Sequence, residues 1–217
     1  MIRLVSSPTA AALVRLAKCK ERIAQAEAAS EEPPESAAKC YRHREVKDSI
    51  LTETAGKCAY CEAKMTHVDW GDVEHIRPQE HFPELSLDYD NLTLSCAICN
   101  NNKSSYYNEK APIIDPYTGD PGDHLVGIGA LIWHRHGSKV GQRTVTLFQL
   151  NREGLNEQRW EHLQLLSGLA DRFMVEPEGP IKEVLANEMR VLIADTAEFT
   201  LAARSFLTAY GLVPGEI

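Results

Sequence analysis

The sequence lacks any apolar run that is long enough to cross a lipid bilayer. Its longest apolar stretch, residues 125–133, falls well short of the roughly 20 residues that a membrane helix needs. The N-terminal end also lacks the apolar segment and the cleavage site of a secretory signal peptide. A Gly-x-x-x-x-Gly-Lys-Ser/Thr motif is absent too, which excludes ATP binding by a P-loop. We therefore expect a cytoplasmic protein that does not itself bind ATP in that way.

An excess of positive charge is also missing. The chain has a formal net charge of −8, and the segment from Ala55 to Lys110 holds five Lys and Arg against nine Asp and Glu. Affinity for DNA comes largely from Lys and Arg side chains that displace counterions. The chain is therefore poorly suited to bind nucleic acid alone, and bound cations or a basic partner would have to offset its charge.

Helical patterns dominate both ends of the 217-residue chain. Apolar residues at helical spacing, with Pro-rich and Gly-rich breaks between them, predict helices at Thr9–Ala29 (capped by Ser7), Ala37–Ala55, Glu153–Val175 and Ile181–Tyr210. Two stretches after residue 124 instead predict strands, Leu125–Trp133 and Val140–Leu147. The sequence therefore indicates the α+β class, with an N-terminal helical segment at 1–56, a central core at 57–115, and a hairpin plus helices at 116–217.

Four of the six cysteines stand in two Cys-x-x-Cys pairs, Cys58/Cys61 and Cys96/Cys99, with 34 residues between the pairs. Each pair can present two thiolates to one metal, and two pairs supply the four-sulfur cage that zinc prefers. Such a closed cage is structural, because it leaves no position open for substrate. The other two, Cys19 and Cys40, stand alone, and in a reducing compartment we expect reduced thiols that act as small, semi-buried hydrophobes.

The residues between and after the pairs suggest the chemistry of phosphodiester hydrolysis. That reaction needs a base for water, a cation that stabilises developing charge, and groups that orient both. The sequence predicts His75 as the base, Glu74 and Asn100 as oxygen ligands of Mg²⁺ or Mn²⁺, and Asn91 as the acceptor of the His75 Nδ1–H bond. Lys103 is predicted to contact a phosphate, and Arg77, Arg42 and Arg44 are further candidates, although a solvated helix face would explain the last two equally well.

This set resembles the HNH endonuclease family, in the branch whose zinc knuckles brace a ββα-metal core. The resemblance rests on Glu74-His75, Asn91 and Asn100 inside the frame Cys58-x-x-Cys61 to Cys96-x-x-Cys99-Asn100-x-x-Lys103. It implies His75 as general base, Glu74 and Asn100 as ligands of the catalytic cation, and Asn91 as the residue that orients the base. Glu74 replaces the more usual Asp and Asn100 the frequent His, and both substitutes can bind a hard cation.

The flanking sequence narrows the resemblance to the HNH subunit of Septu-type and retron-associated anti-phage systems. The similar segments include Gly56–Glu62, Tyr89–Leu92, Ile114–Pro116 and Thr144–Arg159. The resemblance implies an SMC/ABC-like ATPase partner, PtuA-like, and degradation of invading DNA. An acidic nuclease without a broad basic face is consistent with a role as one subunit of a complex.

Two other functions stay open at this point. A zinc ribbon that binds nucleic acid or protein without catalysis explains the cysteines equally well, but it does not explain the spacing of the polar residues. A decayed nuclease that acts as a structural or inhibitory subunit is the third hypothesis. For three residues ahead of the motif we expect only bland roles: His67 and Asp69 in the hairpin loop, and Trp70 as a core or interface anchor.

Overall fold

The computed structural model describes residues 1–65, 71–213, 215 and 217 and contains two compact units. We name them the core unit, Leu4–Ala59 with Met65–Glu109, and the helical unit, Met1–Arg3 with Tyr60–Lys64 and Lys110–Ile217. The expectations for His67, Asp69 and Trp70 lie outside the described residues, and the domain boundaries expected after residues 56 and 115 stay predictions. Among the described residues, no helix has the length and apolar character needed to cross a membrane.

The core unit begins with three helices, α1 (Ala10–Ala28), α2 (Glu35–Ala38) and α3 (Arg44–Glu53). The Thr9 side chain accepts a hydrogen bond from the Ala12 N–H and so caps α1. The buried positions of α1 are 12, 16 and 19, which form one stripe along the helix. The first predicted helix is therefore confirmed, with Thr9 instead of Ser7 as its cap.

The second predicted helix, Ala37–Ala55, is wrong as one continuous element. A 3₁₀ turn at Cys40–Arg42 separates α2 from α3, and the backbone of His43 is extended, with φ −63° and ψ 143°. The His43 Nδ1 atom accepts a hydrogen bond from the Glu45 N–H at 3.3 Å, so His43 caps a new helix. As a result, Tyr41 and Arg42 lie on a tight turn and not on a continuous helix face.

The expectation that Cys19 and Cys40 are separate reduced thiols is also wrong. They form a disulfide between α1 and the 3₁₀ turn, with Cα atoms 6.4 Å apart, a separation within disulfide reach. The sequence could not suggest this pair, because the two cysteines become neighbours only when the turn packs against α1. Both are buried, as expected.

A hairpin followed by one helix completes the core unit. Strand β1 (Asp72–His75) pairs antiparallel with β2 (Leu92–Ser95), and the register sets Asp72 opposite Ser95 and His75 opposite Leu92. Helix α4 (Ala97–Lys103) follows β2 directly. All of β2 is buried, as are Cys99 and Lys103 of α4, and this ββα order agrees with the prediction.

The helical unit contains a hairpin and a helix that depart from the prediction. The predicted single strand Leu125–Trp133 is wrong, because these residues form a hairpin. Strand β3 (Leu125–Ile128) pairs with β4 (Leu131–His134), and the chain turns between them at Gly129, whose φ is +56°. The predicted strand Val140–Leu147 is wrong, because these residues belong to α5 (Lys139–Leu147). The Ser138 hydroxyl caps this helix by accepting from the Gly141 N–H.

Three helices form the rest of the helical unit: α6 (Glu153–Val175), α7 (Pro180–Ile193) and α8 (Thr200–Ala209). The predicted helix at Glu153–Val175 is confirmed. The predicted single helix Ile181–Tyr210 is wrong, because the chain leaves the helix after Ile193 and Phe199 adopts a left-handed backbone with φ 52°. The three helices share a core made of Leu163, Leu166, Ala170, Met189, Ile193, Ala203 and Leu207.

Candidate active site

Four cysteines form a compact cluster. The Sγ atoms of Cys58, Cys61, Cys96 and Cys99 all lie within 4.8 Å of one another, and three of the four residues are buried. Cys96 also caps α4, since its Sγ accepts a hydrogen bond from the Cys99 N–H at 3.4 Å. Four thiolates at this spacing fit one tetrahedral zinc ion, and they leave no position open for substrate. The cluster therefore agrees with the predicted structural zinc.

His75 ends β1 with its ring held on two sides. Its Nε2 lies 3.0 Å from the Ser86 carbonyl oxygen, and the Tyr41 ring stands edge-on at a centroid distance of 4.5 Å. A carbonyl oxygen can only accept, so Nε2 carries the proton and the neutral ring keeps its lone pair on Nδ1. Burial lowers the pKa of His75 below its ordinary value of 6.5, and the hydrogen bond to Ser86 opposes this shift only in part. The ring is therefore neutral near pH 7, as a general base must be.

Asn91 does not hold the His75 ring, and this expectation is wrong. Its amide instead closes the loop between the two strands: Oδ1 accepts from the Arg77 N–H at 2.8 Å, and Nδ2 donates to the carbonyls of Arg77 and Leu85 at 3.0 and 3.2 Å. Because these three backbone partners take the amide, the Ser86 carbonyl takes over the contact to the ring. Asn91 therefore affects His75 only indirectly, because it stabilises the loop that carries Ser86.

Lys103 is buried, which contradicts its predicted contact with phosphate. Its Nζ donates to Glu74 Oε1 at 2.6 Å and to the His75 carbonyl oxygen at 2.8 Å, and its side chain is only 1% exposed. The lysine stem runs back from α4 to β1, so its charge never reaches solvent. Burial raises the pKa of the Glu74 carboxyl above its usual 4.5, although the ammonium of Lys103 opposes the shift.

Two adjoining cavities of about 340 Å³ each border this part of β1, and both are lined by Arg42, Val73 and Asn100. The first also has Lys47 and Asp72 in its wall, and the second has Glu74 and His75. The Asn100 Nδ2 donates to Asp72 Oδ2 at 3.1 Å. Carboxylate and amide oxygens are suitable ligands for Mg²⁺ or Mn²⁺, so the donor atoms around these cavities fit a hard divalent cation.

Residues 58–105, the segment from the first cysteine pair through α4, match the family model described as HNH endonuclease. We call this segment, which is similar to HNH endonucleases, the HNH domain. Among curated proteins, the chain is 28% identical over 169 residues to Septu protein PtuB of Bacillus mycoides (strain KBAB4). It is 33% identical over 81 residues to Septu protein PtuB of Bacillus thuringiensis.

These matches cover only parts of each protein. The aligned residues make up 60% of this chain and 57% of the Bacillus mycoides relative, and 37% and 32% in the case of Bacillus thuringiensis. The chain thus spans little more than half the length of one relative and a third of the other. The similarity extends beyond the HNH domain in the first case, since 169 aligned residues exceed the 58–105 segment.

The arginines predicted to contact phosphate have different surroundings around the HNH domain. Arg42 is exposed, stacks over the Tyr41 ring at 5.3 Å and lines both cavities. Arg77 is exposed and lies over the Phe82 ring at 5.7 Å. The Arg44 side chain is 88% exposed and pairs with Asp48 one turn further along α3. Of the three, Arg42 is the one that the structure brings to the cavities beside His75.

Three residues of this site were missing from the prediction: Tyr41, Ser86 and Asp72. Asp72 could have been found, because residues two apart in a strand share a face and Asp72 stands two before Glu74. Ser86 acts through its backbone carbonyl, which any residue type has, so the residue type at position 86 could not predict the contact to His75. Tyr41 reaches His75 only because the 3₁₀ turn at Cys40–Arg42 interrupts the helix.

Proposed function

We propose that this chain is a metal-dependent endonuclease that hydrolyses phosphodiester bonds of DNA. The observation that carries the proposal is the state of His75, a neutral imidazole fixed through Nε2 on the wall of a polar cavity, within an HNH domain. Such a ring can remove a proton from water through Nδ1, which carries its lone pair. Typical gains from a positioned base of this kind are about 10²–10⁴-fold in rate.

The neighbouring residues would divide the remaining tasks among themselves. The Ser86 carbonyl holds the ring in one orientation, Asn91 braces the loop that carries Ser86, and the Lys103–Glu74 ion pair ties α4 to β1. Asn100 and the second carboxylate oxygen of Glu74 are the proposed ligands of Mg²⁺ or Mn²⁺. The cation, when bound, supplies positive charge next to the leaving 3′-oxygen. Products with a 5′-phosphate follow from cleavage on that side.

Arg42 is the proposed contact to the phosphate next to the cleaved bond. It borders both cavities and is free of ion pairs among the interactions of the described residues. Its guanidinium can bind two oxygens of one phosphate, which a compact ammonium does less well. Arg77 remains a candidate for a phosphate further along the strand, whereas Arg44 pairs with Asp48 and lines neither cavity.

We further propose that the protein acts in the cytoplasm as the nuclease of an anti-phage complex with an SMC/ABC-like, PtuA-like ATPase. Support comes from the two relatives, both named Septu protein PtuB, and from the charge of the chain. A net charge of −8 disfavours binding to DNA by the chain alone, so a partner that binds DNA itself would offset this electrostatic repulsion.

The test is a cleavage assay with the full chain, with and without the partner, in Mg²⁺ and in Mn²⁺. We expect divalent-dependent cleavage that His75→Ala lowers by at least about 10²-fold, while zinc content stays unchanged. His136→Ala is the matched control, because His136 is exposed and outside the HNH domain. Full cleavage by His75→Ala protein would refute the proposal. A protein that binds zinc only and cleaves nothing under any of these conditions would instead support the zinc-ribbon or decayed-nuclease hypothesis.

A further inference from the structure

We propose that Asp72 is a third ligand of the divalent cation and supplies the negative charge that the site needs to hold it. This inference rests on the proposed nuclease function and adds one residue to its cation site. Asp72 lies on the same face of β1 as Glu74, two residues earlier, at the wall of the first cavity.

The charge of Glu74 is already balanced. Its Oε1 lies 2.6 Å from the buried Nζ of Lys103, and the two side chains are only 9% and 1% exposed. A cation that displaced Lys103 from Oε1 would leave a buried ammonium without its partner, which is costly, so the ion would contact only the second oxygen of Glu74. Glu74, Lys103 and Asn100 together therefore carry no net charge, and a site without net negative charge holds a divalent cation weakly.

Asp72 provides the missing charge without that cost. Its side chain is exposed, and within the part of the chain that the structure describes it forms no ion pair. One contact fixes it: Oδ2 accepts a hydrogen bond from Asn100 Nδ2 at 3.1 Å. This bond brings a carboxylate and an amide to the same point of the cavity, so their oxygens can both reach one ion.

The Asn100 amide gives the proposal a structural signature. An N–H cannot bind a cation, so the amide must rotate and present Oδ1 when the ion binds. Asp72 and Asn100 would then hold the cation through their oxygens in place of this hydrogen bond. Arg42 and Lys47 border the same cavity, so a phosphate beside the cation would also be held by their positive charges.

Titration of the zinc-loaded full chain with Mn²⁺, followed by electron paramagnetic resonance of the free ion, tests this inference. We expect one Mn²⁺ per chain in the unaltered protein and an affinity lower by about 10-fold or more in Asp72→Asn. Asp48→Asn is the matched control, because it removes an exposed carboxylate of the same unit that lines neither cavity. Zinc content and the thermal unfolding midpoint show whether each variant is folded.

The binding and cleavage results separate this inference from the proposed function. Unchanged Mn²⁺ affinity in folded Asp72→Asn, or no Mn²⁺ binding by the unaltered chain, overturns the inference, and His75-dependent cleavage would then still support the nuclease. Binding that depends on Asp72, in a chain that cleaves no DNA, supports the inference and contradicts the function.

Discussion

At the scale of single residues, the environment of His75 sets the pH range in which the proposed nuclease works. Burial is the largest cause that lowers the pKa of its ring, and the charges of Lys103 and Arg42 act in the same direction. A neutral base is therefore available at lower pH than for a histidine in water. A cation bound nearby would lower the pKa further.

We therefore expect kcat/KM to decline at acid pH with a midpoint below 6.5, and this decline to disappear in His75→Ala. The same shift affects stability: between the lowered pKa and 6.5 the unfolded chain binds more protons than the folded one, so the His75 contribution to stability rises with pH there. The pH–rate profile at saturating Mg²⁺ measures the first effect. A decline centred at or above 6.5 would mean that His75 is not the base.

Asn91 is a residue whose partner the sequence predicted wrongly. The sequence marks an amide at this position, but the acceptors that it binds are backbone carbonyls, which no sequence pattern specifies. The same limit applies to Lys103. Only the folded chain shows that its Nζ meets Glu74, 29 positions earlier, instead of solvent.

At the scale of elements, the prediction succeeded where the signal is local and failed where packing decides. The cysteine pairs are a short-spacing signal, and the family resemblance that they help to carry implied the ββα order, so the core of the HNH domain could be predicted. Helix α5 could not, because its β-branched residues favour a strand while Ser138 caps a helix and Thr144 is fully buried in it. The break between α2 and α3 includes a side-chain contact that the sequence did not predict, because His43 Nδ1 accepts a hydrogen bond from the Glu45 N–H.

Gly141 shows how tightly α5 packs in the helical unit. A Cβ atom at this position would lie 2.4 Å from the His124 carbonyl oxygen, which is backbone and cannot move aside cheaply. We expect Gly141→Ala to lower the free energy of unfolding by about 1–3 kcal/mol in a urea titration. Gly168→Ala is the control, since Gly168 lies inside α6 and a Cβ atom there would have nothing within 4 Å, so alanine should stabilise by about 0.5–1 kcal/mol. Equal effects of the two substitutions would contradict the close packing of α5.

At the scale of the whole molecule, net charge limits how strongly the proposed nuclease can bind DNA. Net charge is −8, but the walls of the two cavities include Arg42 and Lys47, whose positive charges can attract a phosphate there. Each phosphate that a protein neutralises contributes about −0.9 to the slope of log K against log salt concentration. A chain with so few basic groups near its site should therefore show a shallow slope when it binds DNA without a partner.

The substitutions Arg42→Ala and Arg44→Ala test whether each arginine contacts phosphate beside the site or only lies on a solvated helix face. Both arginines are exposed and lie two positions apart, but only Arg42 lines the cavities, whereas Arg44 pairs with Asp48. We expect Arg42→Ala to reduce the slope by about one and Arg44→Ala to leave it unchanged, because only Arg42 is the proposed phosphate contact beside the cavities. Fluorescence anisotropy of labelled DNA from about 50 to about 200 mM salt measures the slope, in a His75→Ala background that prevents cleavage. A loss of the same size in Arg44→Ala would mean that DNA crosses the outer face of α3, and that the phosphate path does not pass along the cavities.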